Sequence, residues 1–276
     1  MADTRPSIAD KRRAFQQLHE AGCFVIPNPW DVGSARFLQS LGFKALATTS
    51  SGFAWSRGRT DGAVSRDMAL AHLHDIVAAT DLPVNADFES GFALDAAGVA
   101  ESVRLAIETG VAGLSMEDST GDAAKPLYEL GVAVERMRAA RKAIDKAGGD
   151  TLLVGRAECF LVGRPDLEET TRRLKAYAQA GADCLYAPGI RTPDQIRAVV
   201  AGVAPKPFNL LVGSASELTV QDIAALGVRR VSVGGALARS AWGGFMRAAR
   251  LIAEQGKFDG FANAASGHEL NSLFRA

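Results

Sequence analysis

Residues 82–92 read LPVNADFESGF. The run is largely apolar up to Phe88, and the acids Asp87 and Glu89 stand at its end. Such a run suits a strand covered on both faces, as in a parallel sheet. Asp95 to Thr109 follows with helical spacing and is closed by Gly110. A second apolar run, AGLSMED at 112–118, comes next and also ends in acids. Strand, helix and strand in that order form a βαβ unit.

The same pattern extends in both directions. Upstream lie CFVIPNP at 23–29 and KALATTS at 44–50; downstream lie LLVGRAE at 152–158, CLYAPG at 184–189, PFNLLVG at 207–213 and RRVSVGG at 229–235. Between them the spacing predicts helices over Asp31–Leu41, Ser65–Ala79, Glu129–Ala147, Leu167–Ala180, Pro193–Val203, Val220–Leu226 and Ala236–Gln255. Gly42, Gly110, Gly148, Gly181, Gly227 and Gly256 close helices, because glycine enters the left-handed conformation cheaply. Thr192 and Thr219 are N-caps. Eight β-then-α units without a break in composition predict one (β/α)8 TIM barrel, a single domain over residues 1–276. An open doubly wound sheet is disfavoured, since NPWDVGSA replaces a dinucleotide fingerprint after the first strand.

Composition narrows the class. Of the 276 residues, 47% are hydrophobic and 22% charged, so a large core is available. Lys plus Arg equals 31 and Asp plus Glu equals 31, and this balance gives no support to a nucleic-acid or anionic-membrane partner. Met1 to Arg13 is polar and lacks the apolar centre of a signal peptide, and no stretch approaches the ~20 apolar residues of a membrane span. Cys23, Cys159 and Cys184 lack metal-like spacing and read as reduced core thiols of a cytoplasmic protein.

A barrel carries its chemistry at the C-terminal ends of its strands. Those ends hold Thr48, Thr49, Ser50, Ser51 and Gly52; then Asn85, Asp87 and Glu89; then Glu117 and Asp118; then Arg156 and Glu158; then Asn209; and finally Gly234 and Gly235. Carboxylates crowded in one cleft repel each other, and a divalent cation resolves the conflict. An all-oxygen donor set favours Mg2+ or Mn2+ over zinc. Helix capping and loop ion pairs are the alternative use of these acids. Asn85 and Asp87 point to one face of their strand. Arg156 either pairs with Glu117 or Asp118 or clamps a substrate carboxylate. Gly234 and Gly235 either bind phosphate or make a tight turn. The four histidines, His19, His72, His74 and His268, fall in helix-like segments, which argues against a histidine-based triad.

IPNPWD at the first strand, TTSSG followed by GRTD at the second, VNADFESGF, SMED and GRAE resemble, in order, the isocitrate lyase and phosphoenolpyruvate mutase superfamily. The resemblance runs from Phe24 to Gly235. It implies a Mg2+-dependent enzyme acting on a small 2-oxo or 2-hydroxy carboxylic acid through an enolate, with an eighth helix swapped between subunits of a dimer or tetramer. Carried onto this sequence, it implies that Ser50, Ser51 and Gly52 bind substrate and that Asn209 touches it. Asp61, Asp87 and Glu117 would hold the metal, mostly through its waters. Arg156 would neutralise substrate charge, and 118–130 would be a gating loop.

The departures narrow the chemistry. Asn85 stands where the family's third-strand motif opens with a metal-ligating Asp, so either its amide oxygen serves as a weaker ligand or Asp87 takes over. The loop STGDAAKPLYEL lacks the lyases' Lys-x-Cys-Gly-His, and their second-strand Tyr is replaced near Leu46 or Ala47. Cleaving a 2-hydroxy acid requires a base and an acid. A 2-oxo diacid such as oxaloacetate loses carbon dioxide without either. A decarboxylase-like reaction is therefore expected, and a carbon–carbon lyase using Glu158 or Tyr186 is the close alternative. Phosphonopyruvate-type chemistry and a non-catalytic 2-oxo acid binder are further alternatives.

Overall fold

A computed structural model describes residues 5–275. Eight strands form one parallel sheet: β1 (Phe24–Ile26), β2 (Leu46–Ala47), β3 (Val84–Asp87), β4 (Gly113–Glu117), β5 (Leu152–Arg156), β6 (Cys184–Tyr186), β7 (Phe208–Leu211) and β8 (Arg230–Ser232). Their order is β1-β8-β7-β6-β5-β4-β3-β2. Asn28 closes the remaining seam. The Ala47 amide donates to Pro27 O, and Asn28 Nδ2 donates to Thr48 O, joining β1 to β2. Asn28 Oδ1 meanwhile accepts the amides of Val233 and Gly234 beyond β8, each at 2.9 Å. The expected (β/α)8 barrel is the observed fold.

Each strand alternates between two cores. Val84, Ala86, Leu114, Met116, Leu153, Leu185, Phe208, Leu210 and Val231 face outward, into the main core beneath the helices. Asn85, Asp87, Ser115, Glu117, Val154, Arg156, Tyr186, Asn209 and Arg230 take the other parity and fill the barrel. Register then levels them, with Glu117 opposite Arg156 and Arg156 opposite Tyr186.

Eleven helices surround the sheet: α1 (Ile8–Glu20), α2 (Val32–Ser40), α3 (Ser50–Ser56), α4 (Arg66–Ala79), α5 (Ala96–Glu108), α6 (Leu130–Lys146), α7 (Leu167–Gln179), α8 (Pro193–Val203), α9 (Val220–Ala225), α10 (Ala236–Gln255) and α11 (Gly267–Phe274). Local chemistry starts most of them. Asp31, Ser65, Asp95, Asp166, Thr192 and Thr219 each accept an amide of the first turn. The six helix-closing glycines all adopt positive φ.

Two helices were not expected. In the polar N-terminal stretch, residues 1–4 lie outside the described residues, and the rest opens α1. Its Lys11 and Arg12 are buried, because Lys11 Nζ donates to the carbonyls of Val77 and Thr80, and Arg12 donates to those of Ile107 and Val111. Two cations thus fill the carbonyl-rich ends of α4 and α5. Phe15, fully buried, plugs the floor of the barrel among Ile26, Ala45, Ala47 and Ala112. The other is α3, a seven-residue helix where the sequence suggested only a Ser/Gly loop; Thr49 caps it through the Gly52 amide.

The last long helix is different. α10 buries only Ala238 of its 20 residues, while Trp242, Phe245 and Met246 are exposed. No helix among the described residues is long and apolar enough to cross a membrane. Cys159 and Cys184 are buried, Cys23 is half-buried, and all three are free.

Candidate active site

The ends of β3, β4 and β5 bring three carboxylates onto one guanidinium. Arg156 Nη1 lies 3.2 Å from Asp87 Oδ1 and 3.1 Å from Glu117 Oε2. Its Nε donates to Glu158 Oε1. The Tyr186 ring lies 5.1 Å from its Cζ. Burial opposes the charge on Arg156, but Glu117, Glu158, Tyr186 and Asp87 outweigh burial and hold it strongly protonated.

One cation does not balance these acids. Burial, then the neighbouring acids, pushes Glu117 well above the usual carboxylate range, despite Arg156. Asp61 is raised by burial and by Asp87, against a hydrogen bond from Ser50. Glu89 is pushed up to about 7 by burial, then by Asp87 and Asp61. Glu89 also has φ 46°, a left-handed conformation uncommon for a side chain of this size. Strain of this kind collects at functional sites. Glu89 O accepts the Glu117 amide at 3.0 Å, so Glu89 stands level with Glu117 at the rim.

The sequence assignments divide here. Asp61, Asp87, Glu117 and Arg156 come together. Asn85 and Asn209 do not join this cluster. Their side chains lie deeper, where Asn209 Oδ1 accepts from Arg230 Nε at 2.8 Å and Asn85 Oδ1 from Arg230 Nη1 at 3.3 Å. Both amide oxygens accept from this buried cation, below the carboxylate cluster. Glu89 and Glu158 belong to the upper cluster instead. The spacing of Glu89, two residues beyond Asp87, was the available signal.

Ser50 and Ser51 face the site, while Gly52 is buried behind them. The Ser50 amide donates to Asp87 Oδ2 at 2.9 Å, locking the start of α3 to β3. A Cβ on Gly52 would lie 2.7 Å from Thr49 Cγ2 and 2.9 Å from Trp30 Cβ. Gly52 is therefore needed for packing, not contact. Asp118 turns away, accepting from Arg173 Nη1 at 3.1 Å, the Tyr177 hydroxyl at 2.5 Å and the Glu158 amide at 2.8 Å. It positions Glu158 from below.

The loop between β4 and α6 is pinned at its base. Tyr128 O accepts from Arg173, and the Tyr128 ring lies under Arg136 at 4.3 Å. Residues 121–125 at its tip are exposed. Tyr128 is thus a loop anchor, away from the acids.

The cleft beside this cluster has a volume of about 480 Å3. Ser51, Asp61, Arg191, Gly213, Gly235 and Arg239 are among the residues that line it. A larger groove of about 860 Å3 lies between α5 and α6, away from the strand ends, so size alone does not locate the chemistry. Among the described residues, no three His, Cys, Asp or Glu side chains already stand at metal-binding distances. The donor chemistry nevertheless fits a hard divalent cation: Asp61, Asp87, Glu89 and Glu117 offer only oxygen, and the acids exceed their one cation.

Comparison with known proteins agrees with this geometry. The phosphoenolpyruvate phosphomutase family profile matches residues 15–253. The chain is similar to a solved Burkholderia cenocepacia protein provisionally assigned as a lyase or mutase, with 48% identity, a TM-score of 0.94 and 98% of each chain covered. It is 29% identical to an oxaloacetate decarboxylase of Paraburkholderia xenovorans, over 80% of this chain and 74% of that one. It is also similar to an oxaloacetate acetylhydrolase solved with its product oxalate, at 26% identity and a TM-score of 0.84, covering 96% of this chain and 94% of that one.

Proposed function

The chain belongs to the phosphoenolpyruvate phosphomutase family, and on that premise we propose that it is a Mg2+-dependent carbon–carbon lyase of a small 2-oxo carboxylic acid. The observation that carries this reading is the convergence of Asp87, Glu117 and Glu158 on Arg156, with Asp61 and Glu89 beside them. Asp87, Asp61, Glu89 and Glu117 would hold Mg2+ or Mn2+, largely through water. When bound, the metal supplies an electron sink for a substrate carbonyl and its neighbouring carboxylate.

The side chains of this protein do the rest. Ser50 and Ser51 orient the substrate carboxylate, while Arg156 offsets its charge. Tyr186 stacks against Arg156 and keeps it aimed at the strand ends. Loss of carbon dioxide from a 2-oxo diacid leaves an enolate, and no base is needed because the carbonyl already exists. The two alternative bases are poorly suited to deprotonating a hydroxyl. Burial, with Glu158 and Asp87 and against Arg156, pushes Tyr186 up to about 12, so its phenol keeps its proton. The Glu158 carboxylate is engaged by Arg156 and is not free to take a proton. These features favour decarboxylase-type cleavage over cleavage of a 2-hydroxy acid.

The exposed apolar face of α10 supports assembly with further copies of the chain, as a dimer or tetramer. The test of the activity is an NMR turnover screen with and without Mg2+, using oxaloacetate, methylisocitrate, isocitrate, dimethylmalate, phosphonopyruvate and phosphoenolpyruvate. Mg2+-dependent turnover that falls at least ~100-fold in Asp87→Ala, with unchanged circular dichroism, is the expected result. Undiminished turnover in that variant would overturn the metal assignment. Cleavage of only 2-hydroxy acids would overturn the base-free reading.

A further inference from the structure

The cleft is larger than its acidic end requires. A volume of 480 Å3 equals about sixteen waters at ~30 Å3 each, against nine heavy atoms in oxaloacetate. The extra space lies under the loops after β6, β7 and β8, where the electrostatics reverse. Asp61 is the only acid lining this cleft, which also carries two exposed cations, Arg191 and Arg239. Among the described residues neither guanidinium is ion-paired to a carboxylate.

Arg239 is held in place from two sides. Its Nη2 donates to Gly213 O in the loop after β7. The first turn of α10 that carries it is seated on α3, because Ala238 is fully buried and a Cβ on Gly235 would lie 2.8 Å from Ser51 Oγ. The N-terminus of this 20-residue helix opens beside the same compartment, at Gly235, without a side-chain cap. The cleft therefore adjoins the acidic cluster through Asp61, while Arg191 and Arg239 offer it planar cationic forks suited to an oxyanion.

We propose that this far compartment binds a distal carboxylate or phosphate on a substrate longer than four carbons, with Arg191 and Arg239 as its specificity-determining residues. The inference rests on the acidic end binding the 2-oxo acid head. The probes separate the two ideas. Oxalate reports the head site alone. The six-carbon pair 2-oxoadipate and 2-oxohexanoate differs only in the distal carboxylate. A 2-oxo acid ending in a phosphonate distinguishes phosphate from carboxylate preference.

Binding would be measured by calorimetry with Mg2+, on the intact wild type and on Arg191→Met, Arg239→Met and the double variant. 2-Oxoadipate should bind at least ~10-fold tighter than 2-oxohexanoate, and the double variant should erase that difference. Oxalate affinity should stay the same in all four proteins. Equal binding of the six-carbon pair in wild type, or a preference that survives the double variant, overturns the subsite. Failure of oxalate to bind wild type overturns the head-site reading beneath it. Arg→Lys variants, which keep charge but lose the fork, should retain only part of the preference.

Discussion

Two arginines fill the barrel at different depths, and their surroundings are opposite. Arg156, near the rim, touches three carboxylates. Arg230, on the same inward parity lower down, is 2% exposed and meets only neutral acceptors: Asn209, Asn85 and His19. Burial lowers the pKa of Arg230, whereas the acids around Arg156 raise its own despite burial. A buried charge held by neutral dipoles is tolerated as structure. A charge crowded by more acids than it can neutralise has been placed for chemistry. On the proposed function, the lower layer stabilises the floor and the upper layer acts on substrate.

Substitutions can break that distinction. The largest effect is expected from Arg156→Met, which should cut kcat/KM by at least ~100-fold while the far-UV spectrum remains native. Retention of full activity would mean the upper cluster is only an ion-pair lattice. Arg230→Met comes next and should act on stability. It leaves the oxygens of Asn209 and Asn85 without donors, at a cost of about 1–3 kcal/mol by urea denaturation. Its kcat/KM should stay at the wild-type value, and a large loss there would dissolve the division between layers.

The third effect appears only on acidification. His19 is held neutral, its pKa lowered to about 3 by burial first and then by Arg230. The unfolded chain gains this proton below about pH 6.5 and the folded chain does not. This stability is therefore intact above pH 6.5 and is lost as pH falls toward 3, at about 1.4 kcal/mol per pH unit. His19→Gln should remove about one proton from the slope between pH 6 and 4. An unchanged slope would show that His19 titrates freely.

Depth in the barrel is what sequence periodicity could not supply. Alternation told that Asn85 and Asp87 share a face, and both do point inward. It could not tell that Asn85 lies a layer below, beside Arg230, while Glu89 rises to the rim. The reason is stagger: closing a barrel offsets neighbouring strands, so equal distance from a strand's start is not equal height. Asp87 pairs with Ser115 rather than Glu117, and it is the Glu89 carbonyl that meets the Glu117 amide. The left-handed turn at Glu89 is likewise invisible in the sequence.

The sequence by itself determined the elements and their order. Eight apolar runs, the caps at Asp31, Ser65, Asp95, Thr192 and Thr219, and the left-handed glycines act over a few residues, and such signals need no partner from elsewhere in the chain. It also singled out Asp61, Asp87, Glu117 and Arg156, which the fold brings together. Tertiary structure alone decided α1, whose buried cations make sense only against carbonyls of α4 and α5. It decided the seam made by Asn28, the deeper placement of Asn85 and Asn209 against Arg230, and the gathering of Glu89 and Glu158 with the upper acids. Each of these depends on groups distant in sequence that meet only when the barrel closes, so the governing energies arise from burial and partner geometry rather than from local preference.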